Sequence, residues 1–246
     1  MKHVMDYTRI RVLEATFALI RKGISNVLEY NESHPDFLME ETQVEQYIRK
    51  WAIQAICWGV GGSMGLRLRG EFCNKLKAYI HDIELPNFQV DQSFLEYGVN
   101  VDDQDWFPWK KKVPTVEIDP QRVTDADLII TTVDTLRHQE VLCSWLSEHR
   151  PFLLCGPPGS GKTMTLMSTL KSLPDFEMVF VNFSSSTSPK LLLQTFDQYC
   201  EYVKSTSGVI LRPKQPNKWL VVFCDEINLP DIDAYHTQAV ITFLRQ

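Results

Sequence analysis

The stretch GPPGSGKT (Gly156–Thr163) constrains the fold more than any other part of the chain. It fits G-x-x-x-x-G-K-[ST] at every fixed position, a match expected by chance in roughly one in a hundred chains of this length. The apolar run Pro151–Cys155 precedes it and the helix-like run Lys162–Leu173 follows. That is the strand, loop and helix context in which the pattern cradles phosphate. Glycines let such a loop turn so that successive backbone N–H groups converge on phosphate oxygens. The positive end of the following helix adds to the attraction. A glycine turn with an incidental lysine is the bland alternative. The candidate phosphate-binding residues are Gly156, Pro157, Pro158, Gly159, Ser160, Gly161, Lys162 and Thr163. Lys162 has the reach for the outer phosphates, and the Thr163 hydroxyl is a candidate ligand for Mg2+.

A second feature supplies the chemistry. VVFCDEINLPD (Val221–Asp231) carries an apolar run into Asp225 and Glu226. A carboxylate at the end of a buried strand beside a phosphate loop suits a magnesium ion, and its neighbour suits a water molecule. Asp225 is therefore a candidate nucleotide and metal residue, and Glu226 the candidate catalytic residue. The Asp-Glu pairing points to the AAA+ type of phosphate-loop ATPase, with ATP or ADP and Mg2+ as ligands.

The surrounding pattern is α/β from about Val123 onward. His138–His149 reads as a helix and Pro151–Cys155 as a short buried strand. Glu177–Phe183 and Trp219–Cys224 read as further strands. Thr187–Val203 reads as a helix with Ser188 as N-cap and Pro189 in the first turn, and Ser207–Lys218 as a loop or hairpin insertion. Strands alternating with helices imply a mostly parallel sheet.

The first hundred residues are different. Ile10, Leu13, Phe17, Ile20, Ile24 and Val27 recur at helical spacing, and Asn31–Pro35 ends that run. Val44, Ile48, Trp51, Ala55 and Trp58 mark a second apolar face, ended by Gly59–Ser63. Leu68, Phe72, Leu76 and Tyr79 mark a third. The segment from about Leu85 to Asp125 is punctuated by prolines 86, 108, 114 and 120. It reads as a linker with short strands or a hairpin, with alternation over Lys112–Ile118. Trp106 and Trp109 within it suit either docking on a neighbouring domain or a binding surface.

Composition excludes several classes. A net charge of -6 and a single lysine cluster, Lys110–Lys112, offer no broad basic surface for nucleic acid. The six cysteines form no C-x-x-C pair, which argues against a zinc or redox motif and for a reduced, intracellular setting. Cys155 and Cys224 end apolar runs and are expected to be small buried hydrophobes. The N-terminus lacks the apolar core of a secretory signal. No apolar stretch reaches the ~18 residues of a membrane span, so a soluble protein without membrane contact is expected.

LCGPPGSGKTMTL, NFSSSTSP, LLLQTFDQYCEY and KWLVVFCDEINLPDIDAY together resemble the third AAA+ module of the cytoplasmic dynein heavy chains. VDTLRHQEVLCSWLSEHRPFLLCG is similar to the entry segment of that module. VLEYNESHPDF and AICWGVGGS are similar to the lid of the preceding one. The resemblance implies three parts: residues 1–100 as the α-helical lid of the preceding module, 101–125 as a linker, and 126–246 as the front of an α/β AAA+ large subdomain, its sheet incomplete. It further implies a regulatory ATPase site within a minus-end-directed microtubule motor that is cytoplasmic and cytoskeletal. Its partners would be neighbouring AAA+ modules of the same heavy chain. Intermediate, light intermediate and light chains, and microtubules, would be reached through other parts of the parent. By the same resemblance the adenine lies against Leu128, Ile129, Ile130 and Thr132. The usual proline near Thr131 is missing, and His236 stands where the family places glycine. Arg67 and Arg69 are candidates for sensing a neighbouring nucleotide.

An AAA+ sheet has the strand order 5-1-4-3-2, and these residues supply only the first three strands in sequence. The expectation is a fragment or incomplete gene product of a heavy chain, with exposed strand edges and negligible turnover on its own. Two other functions stay open: a nucleotide-binding structural module without turnover, and a stand-alone phosphate-loop ATPase.

Overall fold

The computed structural model describes residues 8–88, 92–114, 130–206 and 208–245. It divides into two compact units, Met1–Thr169 and Leu170–Gln246.

The first unit opens with α1 (Arg9–Ser33), α2 (Glu41–Gly61) and α3 (Leu66–Lys77). Thr8 caps α1, its side chain accepting from Arg11 N at 3.4 Å. Gln43 reaches back to accept from Glu40 N at 2.9 Å and starts α2. The last carbonyls of α2 are closed by Arg69 of α3. Its guanidinium donates to Gly61 O at 3.1 Å, Gly62 O at 2.9 Å and Met64 O at 3.2 Å, a cation placed at the negative end of a helix.

The buried face of α1 matches the expected one only in part: Val27 is buried and Ile20 packs against the core. Ile10, Leu13, Phe17 and Ile24 are exposed, and the residues that pack inward are Thr16, Ala18, Leu19, Gly23 and Val27. The reason lies in close contact with α2. A Cβ at Gly23 would lie 2.3 Å from the Trp51 ring, and one at Gly59 would lie 2.2 Å from Thr16 Oγ1. Trp51 Nε1 donates to Leu19 O at 2.6 Å, fixing the crossing. Small residues on both helices let the backbones approach, so shape outranks hydrophobicity in choosing the buried stripe.

An antiparallel hairpin follows: β1 (Tyr97–Val99) pairs with β2 (Trp106–Pro108). Gln54 of α2 holds its start, donating to Phe94 O at 2.9 Å and Tyr97 O at 2.7 Å. Trp109 is buried, and Trp106 packs on the helical core while donating to Glu84 O at 2.9 Å. Both tryptophans are thus packed against the helices. Of the alternating segment Lys112–Ile118, residues 115–118 lie outside the described residues.

Helix α4 (Val133–Ser147) begins earlier than the expected His138, because Thr132 supplies an N-cap by accepting from Thr135 N at 3.2 Å. Pro151–Cys155 is not a strand. Leu153 is 55% exposed, Cys155 is exposed and no ladder forms. Among the described residues no strand pairs with it. Exposed backbone groups without a ladder partner can be satisfied by water. Helix α5 (Lys162–Lys171) follows the glycine loop.

The second unit holds β3 (Phe176–Asn182), α6 (Pro189–Tyr199), the hairpin β4 (Cys200–Ser205) and β5 (Gly208–Pro213), then β6 (Trp219–Asp225) and α7 (Ala239–Leu244). Strands β3 and β6 run parallel, from Phe176 opposite Trp219 to Asn182 opposite Asp225. One face of the pair packs Val179 and Val181 with Phe183, Leu192 and Val240. On the other, Phe180 is 45% exposed. The expected helix Thr187–Val203 stops at Tyr199. Cys200–Ser205 pairs instead with Gly208–Pro213, and Lys214 Nζ donates to Asp197 O at 2.7 Å and Gln198 O at 2.8 Å. These bonds satisfy carbonyls left open by the ended helix. No helix among the described residues is long and apolar enough to cross a membrane.

Candidate functional site

The phosphate loop owes its shape to two glycines. Gly159 and Gly161 have φ of 73° and 76°. A Cβ at either would meet nothing within 4 Å, so it is backbone conformation that demands glycine there. Ser160 N donates to Pro157 O at 3.3 Å across the turn. Lys162 Nζ lies over the loop, donating to Gly156 O at 3.1 Å and Pro157 O at 2.9 Å. Thr165 N donates to Gly161 O at 2.9 Å as α5 begins. Thr163 is half-buried in the first turn. A lysine ammonium, a helix N-terminus and a left-handed glycine loop thus fall together, the donor set an anionic phosphate requires.

Beside the loop is a cavity of about 470 Å³, within the size range of small-molecule pockets. Ile130, Thr132, Ser160 and Gly161 line it together. Leu128 and Ile129, assigned with them to the adenine by resemblance, lie outside the described residues. His138, Arg137 and Met164 line the cavity too and were not singled out from sequence. Thr135 and His138 follow the Thr132 cap at steps of three along α4. Recognising that cap would have placed all three on one face. Arg137 is buried and pairs with Glu96 at 3.1 Å and with Asp134.

The acidic pair sits in the second unit. Asp225 ends β6 and its Oδ1 accepts from Glu226 N at 3.0 Å. Asp225 O accepts from Phe183 N at 3.1 Å, tying the strand end to the residue after β3. Glu226 is exposed with φ of 53° and turns the chain back, its carbonyl accepting from Leu229 N at 2.9 Å. A non-glycine residue held there costs on the order of 1–3 kcal/mol, and such strain clusters at working sites. His236 also has a positive φ of 59°, a conformation that favours glycine. Among the described residues no group of three or more His, Cys, Asp or Glu gathers to hold a metal.

The two arginine candidates differ. Arg69 is buried and committed to the α2 carbonyls, while Arg67 is exposed and paired with Glu71 at 3.3 Å. Cys224 is half-buried, and burial pushes its thiol pKa up.

Two family profiles cover nearly all of the chain. Residues 117–246 match the P-loop containing dynein motor region, and residues 1–111 match the dynein heavy chain AAA lid domain. The chain is 60% identical over 247 residues to a cytoplasmic dynein heavy chain of Paramecium tetraurelia, covering all of this chain and 5% of that relative. It is 53% identical over 246 residues to the one of Dictyostelium discoideum, covering 99% of this chain and 5% of the relative. With the Drosophila melanogaster protein the identity is 47% over 245 residues, again 5% of the relative. The chain therefore spans about one-twentieth of the length of these relatives. Helices, a parallel strand pair and a phosphate loop match an α/β AAA+ fold preceded by a lid. On this evidence the chain belongs to the dynein heavy chain family, as part of its P-loop AAA+ motor region.

Proposed function

We propose that the chain is an ATP-binding and ATP-hydrolysing regulatory AAA+ module of a minus-end-directed, cytoplasmic microtubule motor. Residues 1–100 serve as the lid of the preceding module, 101–125 as linker, and 126–246 as the large subdomain. The observation that carries this reading is the loop 156–161, with Gly159 and Gly161 left-handed and Lys162 laid across it at the head of α5.

Gly156–Thr163 holds the phosphates of ATP or ADP through backbone N–H groups and the Lys162 ammonium. Thr163 and Asp225 hold Mg2+, which supplies charge neutralisation on the phosphates. Leu128, Ile129, Ile130 and Thr132 flank the base. Glu226 orients the attacking water and accepts its proton. Positioning and electrostatic stabilisation dominate phosphoryl transfer, so these few groups carry the chemistry. Neighbouring AAA+ modules of the same heavy chain are the direct partners. Intermediate, light intermediate and light chains, and microtubules, act through other parts of the parent. A structural site without turnover has no use for Glu226, which favours hydrolysis over that alternative.

Lys162→Ala in the full heavy chain tests the site. It is expected to abolish nucleotide binding here and to alter microtubule release. Unchanged nucleotide occupancy and motility would refute the proposal.

A further inference from the structure

The cavity beside the phosphate loop has one wall with an unusual hydrogen-bonding character. His138 Nδ1 lies 2.6 Å from the main-chain oxygen of Asp134, one turn earlier in α4. A carbonyl oxygen only accepts, so Nδ1 carries the ring proton. In the neutral ring the opposite nitrogen, Nε2, is then an acceptor. Burial holds the pKa of His138 below the ordinary histidine range and the ring neutral; the hydrogen bond to the Asp134 carbonyl opposes this, and the cations Arg137 and Arg69 add to the lowering. The ring is braced edge-on against Trp58, with centroids 5.5 Å apart and planes at 70°. Nε2 has no hydrogen-bond partner among the described residues. His138 lines the cavity together with Ile130, Thr132, Ser160 and Gly161, so the lining includes a ring held in place with an open acceptor.

We propose that His138 reads the base, its Nε2 accepting a hydrogen bond from an exocyclic amino group. This rests on the cavity being the nucleotide site. An amino-purine such as adenine offers an N–H donor at that edge. An oxo-purine such as hypoxanthine or guanine offers a carbonyl, which sets acceptor against acceptor and leaves both unpaired. Sites built to pair with a polar group reject ligands that lack the match far more strongly than apolar pockets reject a size difference. His138 is thereby a specificity residue, separate from the phosphate-holding set.

The test compares fluorescent ATP and ITP binding to the full heavy chain, counting only the component lost in Lys162→Ala. The wild type is expected to prefer ATP by about ten-fold or more, the size of one well-formed hydrogen bond. His138→Phe keeps a ring against Trp58 but has no acceptor, and the preference is expected to fall to within about two-fold. An ATP with a dimethylated amino group, which has no N–H to donate, is expected to bind the wild type as weakly as ITP. This arm stands even if the Phe variant misfolds. A Lys162-dependent preference unchanged in His138→Phe, or dimethylated ATP binding as tightly as ATP, overturns the role of His138 alone. Absence of any Lys162-dependent binding overturns the nucleotide site, and the role of His138 with it.

Discussion

At the residue scale, the chain commits several charged groups to structural work. Lys50 is buried with 7% of its side chain exposed, and its Nζ donates to Asp105 Oδ1 at 2.6 Å. That hydrogen bond, reinforced by the lysine's charge, holds the Asp105 carboxyl below the usual carboxylate range. Asp105→Asn is expected to destabilise the lid by about 1–2 kcal/mol, a modest figure because 58% of the carboxylate side chain faces water. The sign of the pH dependence follows from the depressed pKa. The extra stability is present above the ordinary aspartate pKa of about 4 and is lost as pH falls through the folded value. Thermal melts of wild type and Asp105→Asn should therefore differ near neutrality and converge in acid. A gap that persists at low pH would assign the effect to packing. Arg69 shows the limit of sequence at this scale. An arginine on an amphipathic helix looks the same whether it senses a ligand or caps a neighbouring helix. Only the bonds to Gly61, Gly62 and Met64 carbonyls decide for capping.

At the scale of elements, helix existence was legible from apolar spacing in α1, α2 and α3, and from the phosphate-loop context in α5. The face that α1 buries was legible only in part, at Ile20 and Val27. Periodicity finds the most hydrophobic stripe, whereas the contact is selected by Gly23, Thr16 and Gly59, whose small size lets α1 and α2 close. Leu19→Ala is expected to cost about 2–5 kcal/mol, and Phe17→Ala less than about 1 kcal/mol, despite the larger phenylalanine. Urea unfolding of the 246-residue chain followed by tryptophan fluorescence measures both; equal losses would contradict the assigned face. The strand expected at Pro151–Cys155 failed for a different reason. A strand is defined by neighbours remote in sequence, and an apolar run carries no record of whether they are present. Likewise β4 was read into α6, because the residues after Tyr199 take their strand form from pairing with Gly208–Pro213.

At the scale of the whole molecule, the phosphate loop and the acidic pair were legible because each is a local pattern whose chemistry fixes residue type. The walls of the cavity were only half legible. Ile130 and Thr132 came from resemblance, while His138 and Arg137 were visible only once α4 was built. The account stands or falls on hydrolysis at the site that Lys162 serves. The most direct measurement is the ATP-to-ADP ratio retained in a single turnover by the full heavy chain, comparing wild type with Glu226→Gln and subtracting the signal of Lys162→Ala. The account predicts that the wild type converts its Lys162-dependent ATP to ADP and that Glu226→Gln holds it as ATP. Equal conversion in both would contradict it.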